Sequence, residues 1–191
     1  MGPIPGIEDE QCWVNGCRRG DAESFARLFE AYQAQAFGTA LLISRDRSLA
    51  ADAVQETFIR IFLALPRFRP DQPFRPWFYR ILTNETLRLV KRRRRWWSVS
   101  QADARLPAVL ATPESLALDR ERAEEIWQTV SALPEASRAA LVLRYYAGLT
   151  EEEMSAVMGV PPGTVKSRLS RARDRLKAWL LRRPEEEGSH V

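Results

Sequence analysis

Residues 149–177 read LTEEEMSAVMGVPPGTVKSRLSRARDRLK, and this stretch predicts two helices joined by a very short turn. Thr150 is a favourable N-cap, and Glu153 three residues later completes the pattern of a capping box. Gly159 is a typical helix stop. Pro162 suits the first position of the second helix, because its fixed φ matches helical backbone. The stretch therefore predicts a helix-turn-helix.

The second helix of this pair combines an apolar stripe with a cationic exposed side. Six Lys and Arg residues lie between Lys166 and Lys177, against one acid, Asp174. The stripe recurs at steps of 4, 3 and 4, which is helical spacing, and consists of Val165, Leu169, Ala172 and Leu176. A solvated surface helix is one interpretation. The preceding turn favours the other, in which the start of the helix enters the major groove of DNA.

The composition is that of a folded protein with a polyanionic partner. The 191 residues suit one or two small domains. Net charge is only +4, but the basic residues are clustered, which favours a nucleic acid partner. The two cysteines, Cys12 and Cys17, do not make a disulfide scaffold, and the only histidine is His190. We therefore expect no metal and no cofactor.

Targeting signals are not expected in this sequence. No apolar run approaches the ~20 residues that span a bilayer. The N-terminal MGPIPGIEDE has no basic segment followed by an apolar one, so it does not resemble a signal peptide. The sequence predicts a cytoplasmic protein without membrane insertion.

Proline, glycine and the apolar periodicity divide the chain. We predict an all-α protein in which two small helical domains are joined by a flexible linker, the C-terminal domain being the helix-turn-helix. The predicted segments are a loose lead-in at 1–20, a helical domain at 21–95, a linker at 96–113, a second helical domain at 114–183 and a tail at 184–191.

A polar face stands out in DAVQETFIRIF, residues 52–62. Helical spacing places four side chains on it: Asp52, Gln55, Glu56 and Ile59. Three interpretations remain open from the residues alone. The face is solvated, or its carboxylates hold a divalent ion, or it docks a basic partner helix. Two carboxylates without further acids make a poor hydrolase site.

A third motif, FRPWFYRILTNETLRLVKRRRRWW at 74–97, begins with aromatic residues and ends in cations. Aromatic faces stack on unpaired bases at ~1–3 kcal/mol per base, while cations hold the strand backbone. The alternative is that the aromatic residues belong to the core, and Trp77, Phe78 and Ile81 are spaced to pack inward. Five consecutive cations at 91–95 need solvent or an anionic partner.

Taken together, these three motifs resemble the extracytoplasmic-function (ECF) subgroup of the sigma-70 family, the promoter-recognition subunits of bacterial RNA polymerase. The resemblance covers roughly residues 21–95, which match region 2, and 114–181, which match region 4. It implies no catalytic activity in the chain itself, because polymerase supplies the chemistry. It also implies a cytoplasmic protein and a cognate anti-sigma partner.

The resemblance implies three sets of functional residues. The DAVQE motif matches the surface that docks on the coiled coil of the largest catalytic subunit of core polymerase, and region 4 matches the part that meets the flap region. The docking residues would be Asp52, Gln55, Glu56, Phe58 and Ile59. Residues implied in reading and opening the −10 element are Phe74, Arg75, Trp77, Tyr79, Arg80, Asn84, Arg88, Lys91, Arg92 and Arg93. Those implied at the −35 element are Arg144, Thr164, Lys166, Ser167, Ser170 and Arg171.

Two departures from the family pattern affect the helix-turn-helix. Pro161 stands where the family often has a capping Ser, which removes a cap worth ~1 kcal/mol. Ser170 replaces a larger residue of some members, which leaves the −35 preference open. The other readings are a stand-alone helix-turn-helix regulator, and a carboxylate-dependent nuclease using Asp52 and Glu56.

Overall fold

The computed structural model describes residues 6–96 and 126–181. Its helices are α1 (Ile7–Arg18), α2 (Ala22–Ser44), α3 (Arg47–Ala64), α4 (Phe74–Trp96), α5 (126–131), α6 (Glu135–Leu141), α7 (Glu151–Met158) and α8 (Pro162–Leu181). These ranges contain no strand, and the predicted all-α fold is confirmed. The predicted linker beyond residue 96, the segment 114–125 and the tail 184–191 lie outside the described residues.

The N-terminal region, residues 6–96, is built around α2, α3 and α4. Asp21 caps α2 by accepting from two backbone N–H groups, and Asp46 caps α3 by accepting from that of Leu49. The core between the helices is aromatic: the Tyr32 and Phe78 rings lie 4.6 Å apart, centroid to centroid. Ring pairs at such distances add to the stabilisation from burial alone.

Residues 1–20 were expected to be a loose lead-in, and the structure corrects this with α1. Three acids occupy the first turn of this helix and Arg18 the last, which complements the helix dipole. Of its apolar side chains, Val14 and Cys17 are buried, and Trp13 packs half-buried against the core. Burial raises the pKa of the Cys17 thiol to about 11, so this thiol is not activated as a nucleophile.

The C-terminal region, residues 126–181, contains the predicted helix-turn-helix. The capping box of Thr150 and Glu153 is present with both of its hydrogen bonds. Gly159 ends α7 with φ of 63°, a left-handed conformation that favours glycine, and α8 begins at Pro162. The predicted stripe of α8 faces the core, since Val165, Leu169 and Ala172 are buried and Leu176 is half-buried.

The two regions pack against each other in this structure. One continuous apolar core includes residues of both, and α7 lies against α4. A second, smaller cluster joins Leu42 and Ile43 of α2 to Trp127, Ala139 and Val142. The C-terminal end of α2 is therefore covered by the C-terminal region.

Loss of the capping box should destabilise the helix-turn-helix measurably. Thr150→Ala removes the hydroxyl that accepts from the Glu153 N–H at 3.2 Å, and we expect a loss of ~1 kcal/mol in the free energy of unfolding. Urea unfolding measures it. Glu152→Ala, a change at an exposed position of the same turn, is the control and should have less than half that effect. Equal losses would contradict a specific cap.

Candidate functional site

An open apolar groove of about 920 Å³ runs between α2 and α3. Its floor and walls include Phe25, Phe29, Phe37, Val54, Phe58 and Phe62. Two of its apolar side chains are strongly exposed, Phe62 at 58% and Leu63 at 70%. An exposed contiguous apolar surface of this kind is typical of a protein interaction site. Sequence reasoning found only the α3 side, because the α2 contribution depends on how the helices pair.

The residues predicted to form a polar face on α3 fall into two groups in the structure. Gln55, Phe58 and Ile59 line the α2–α3 groove. Asp52 and Glu56 do not line it, but helical spacing places them on one stripe with Ile59 at its edge. Asp52 is exposed, and Glu56 accepts from Arg60 Nε at 2.9 Å. The result is an apolar groove with an acidic rim.

A second cavity, which we call the loop cavity, measures about 690 Å³ and lies between the end of α3, the 67–72 turn and the middle of α4. Its lining combines an aromatic ring, side-chain amides and guanidinium groups. These belong to Trp77, Asn84, Gln72, Arg60, Arg67 and Arg69. Aromatic faces, amide groups and cations together suit a nucleotide of a single strand. The resemblance implied the 66–76 loop, Trp77 and Asn84 at the −10 element, and Arg60 was not among its candidates.

Two aromatic residues expected at the −10 element serve the core instead. Phe74 is 4% exposed and Tyr79 is fully buried. The reason is that α4 is central and packs against α2, α3 and α7, so its buried face is broad. Arg75 is half-buried and donates to the carbonyl oxygen of Ala147 in the C-terminal region. Neither aromatic ring is available to DNA in this structure.

The remaining α4 candidates form a cationic strip. Arg80, Arg88, Lys91 and Arg92 are exposed along the helix. Arg93 is half-buried and forms an ion pair with Asp46 of the α3 N-cap, while Arg94 pairs with Glu135 at 2.9 Å. The strip starts beside the loop cavity and continues to the end of α4.

The α8 candidates lie at the exposed start of the helix. Lys166 and Arg171 are exposed, whereas Thr164, Ser167 and Ser170 are half-buried. The Ser167 hydroxyl donates to the Thr164 carbonyl at 2.9 Å, so it is held close to the backbone. The two cations therefore project furthest from this face.

Arg144, the last of the predicted residues, lies on the turn of π-helix at Val142–Tyr146, before α7. It is exposed and donates to the Leu149 carbonyl at 2.9 Å, which ties it to the start of the helix-turn-helix. Nearby lies an apolar groove of about 500 Å³ that includes Ile126 and Tyr145. Sequence reasoning missed this groove, because residues of α2, α5, α8 and the irregular turn line it, and these are distant in the sequence.

The fold and these surfaces define a class: an all-α, two-region protein with a helix-turn-helix, cationic surfaces and a separate exposed apolar groove. Comparison with known proteins then gives the family. The sequence pattern described as Sigma-70 region 2 matches residues 28–96, and that described as Sigma-70, region 4 matches 123–176. The chain is 37% identical over 176 residues to the RNA polymerase sigma-H factor of Pseudomonas aeruginosa, covering 87% of this chain and 91% of that protein.

Further similarities support the same family. The ECF RNA polymerase sigma-E factor of Escherichia coli K12 is 35% identical over 177 residues, which cover 86% of this chain and 91% of the relative. Two solved structures are similar, each at 26% identity. One is the sigma factor RpoE with the anti-sigma factor NepR from Bartonella quintana, with a TM-score of 0.70 over 85% of this chain and all of that one. The other is CnrH with the cytosolic domain of CnrY, at 0.67 over 90% and 97%.

The chain belongs to the sigma-70 family, and within it to the ECF sigma factors of RNA polymerase. Over residues 6–96 and 126–181, no helix has the length and apolar character needed to cross a membrane. The same ranges hold no cluster of three or more side chains suited to binding a metal ion.

Proposed function

We propose that three surfaces of this sigma factor divide the work of promoter-specific initiation. The α2–α3 groove docks on core polymerase, the loop cavity with the α4 strip engages the opened −10 strand, and the start of α8 reads the −35 duplex. The observation that carries the proposal is that an apolar, acid-rimmed groove and two cationic surfaces lie on different parts of one chain.

Docking at the α2–α3 groove uses two kinds of contact. The apolar lining takes the hydrophobic side of a helix, as in other helix-in-groove complexes. Asp52 and Glu56 on the rim attract a basic partner and fix its register. A coiled coil of the largest catalytic subunit, with apolar residues flanked by cations, fits this description.

Strand capture at the loop cavity follows from its mixed lining. Asn84 is exposed and offers both donors and an acceptor to a base edge, while the Trp77 ring can stack on an extruded base. The cations of the α4 strip would hold the phosphates of the same strand. Strand opening then follows from binding an unpaired base more tightly than a paired one.

Two further partners are proposed, the flap region of polymerase and an anti-sigma protein. The apolar groove beside Ile126 and Tyr145 is suited to the polymerase flap region, which the resemblance assigns to region 4. A cognate anti-sigma protein is proposed because a structurally similar sigma factor was solved with one. The cytoplasm is the proposed location, since polymerase and promoter DNA are found there, and the chemistry belongs to the polymerase.

Run-off transcription tests the proposal. Purified core polymerase plus the chain is given a promoter library from the host genome, and the expected result is specific initiation at promoters that share −35 and −10 elements. DNA binding without co-purification of core polymerase, and without initiation, would instead identify a stand-alone regulator. The same library supplies the promoter for the experiments below.

Arg171 should contribute to base discrimination at the −35 element. A guanidinium in the major groove donates to guanine O6 and N7, so Arg171→Ala should cost ~1–3 kcal/mol of discrimination at one position. Binding to duplexes with single −35 substitutions measures it. Arg175→Ala, at another exposed position of the same cationic helix, is the control and should weaken all duplexes alike. A uniform loss for Arg171→Ala would make it a phosphate contact.

A further inference from the structure

A buried carboxylate lies directly behind the loop cavity. Glu85 is 5% exposed, and its two oxygens have different arginine partners. Arg88 Nε of α4 lies 2.7 Å from Oε2. Arg60 Nε of α3 lies 3.1 Å from Oε1, and the same nitrogen also lies 2.9 Å from Glu56 Oε1. Glu85 lines the cavity next to Asn84, and Arg60 lines it as well. One carboxylate thus joins two helices and two cations at a single site.

The carboxylate and the two arginines differ in their exposure to solvent. The side chains of Arg60 and Arg88 are 49% and 48% exposed, whereas the side chain of Glu85 is only 7% exposed. Both ion pairs use Nε, so the terminal amino groups of each guanidinium are not required for them. The carboxylate lies in the interior and the cations extend from it towards solvent.

We propose that Glu85 is a positioning residue for the −10 strand, and that it holds Arg60 and Arg88 in place to receive strand phosphates. The inference rests on the proposed role of the loop cavity. A free arginine side chain loses up to ~2 kcal/mol of rotamer entropy when it is fixed. Two arginines fixed in advance by Glu85 lose less when the strand binds, and this preorganisation strengthens binding. Glu85 itself contacts no DNA.

The test uses holoenzyme, assembled from the chain and core polymerase, and a single-stranded oligonucleotide carrying the non-template −10 sequence from the run-off experiment. Glu85→Gln keeps the shape and removes the charge, and we expect binding about tenfold weaker. The slope of log K against log salt should also become less steep, by about 1.4 if both phosphate contacts are lost. A carboxylate with a purely structural role would leave that slope unchanged.

Two comparisons make the result specific. In a chain that already carries Arg60→Ala and Arg88→Ala, Glu85→Gln should have no further effect on strand binding. Asp71→Asn is the matched control, since it removes a carboxylate that pairs with exposed Arg69 of the same cavity at 2.9 Å, and should change binding less than twofold. Arg60→Lys keeps the charge without the fork and should weaken binding several-fold.

The positioning role of Glu85 and the proposed function of the loop cavity would be contradicted by different results. Binding by Glu85→Gln that equals or exceeds wild type, or a tenfold loss that persists without both arginines, would overturn the positioning role. Wild-type holoenzyme that fails to bind the strand would instead overturn the proposed function of the cavity.

Discussion

We expect that changing both Asp52 and Glu56 to lysine abolishes binding to core polymerase. Of the variants proposed here, this one should have the largest effect on function. The two carboxylates flank the α2–α3 groove, so the double change replaces two attractive charges by two repulsive ones at a basic partner. Juxtaposed like charges cost several kcal/mol, and affinity for core should fall about a hundredfold or more. Pull-down and titration with purified core measure it.

The fold should survive this change. Asp52 is exposed, and Glu56 forms one i,i+4 pair with Arg60 that is worth ~0.3–0.5 kcal/mol. Glu8→Lys with Asp9→Lys is the matched control, because both are exposed acids on α1 and neither lines the groove. The control should bind core normally. Unaltered binding by the Asp52 and Glu56 variant, with the control equally unaffected, would contradict docking at this face.

Local sequence signals were sufficient for the helix-turn-helix. The capping box, the glycine stop and the apolar stripe of α8 depend on residues within a few positions of each other, and the structure has all three. Short-range interactions of this kind do not depend on the remainder of the fold. For the same reason, the sequence alone predicted the acidic residues on α3, but it did not predict the groove beside them.

Other features depend on contacts between distant residues. The short helix α1 has a weak apolar stripe, and its signal was only the acids of its first turn, with Gly20 at positive φ after its end. Phe74 and Tyr79 matched a stacking pattern, but the number of helices around α4 buried them. Packing of the two regions brings the Tyr146 ring against Gly38, a contact between distant residues that no periodicity encodes.

Arg138 is a further residue that sequence reasoning missed, and its loss should have the largest effect on stability. It is 4% exposed and donates to three carbonyl oxygens, at 2.9 Å to Ile43 and Leu133 and at 3.1 Å to Ser131. Burial lowers the pKa of Arg138 to about 10, so the group remains charged at neutral pH with all its donors present. Because the pKa in the folded chain lies below the usual one, burial of the charge opposes folding at every pH below about 10.

Arg138→Met keeps the bulk of the side chain and removes both the charge and the donors. The Ser131 carbonyl retains Arg45, but those of Ile43 and Leu133 lose this donor. Each buried carbonyl left unsatisfied costs ~1–3 kcal/mol, and release from burying a charge offsets part of this. We expect the free energy of unfolding to fall by ~2–4 kcal/mol, measured by urea denaturation at neutral pH.

Arg45→Met is the matched control, since it removes a donor from Ser131 while Arg138 still serves that carbonyl. It should cost well under half as much as Arg138→Met. If the two variants were equally stable, the Ile43 and Leu133 carbonyls would have to find water, and the contact between the regions would not depend on Arg138. A larger loss for Arg138→Met places the main polar support of that contact at the C-terminal end of α2, where the last helical carbonyls have no partner within their own helix.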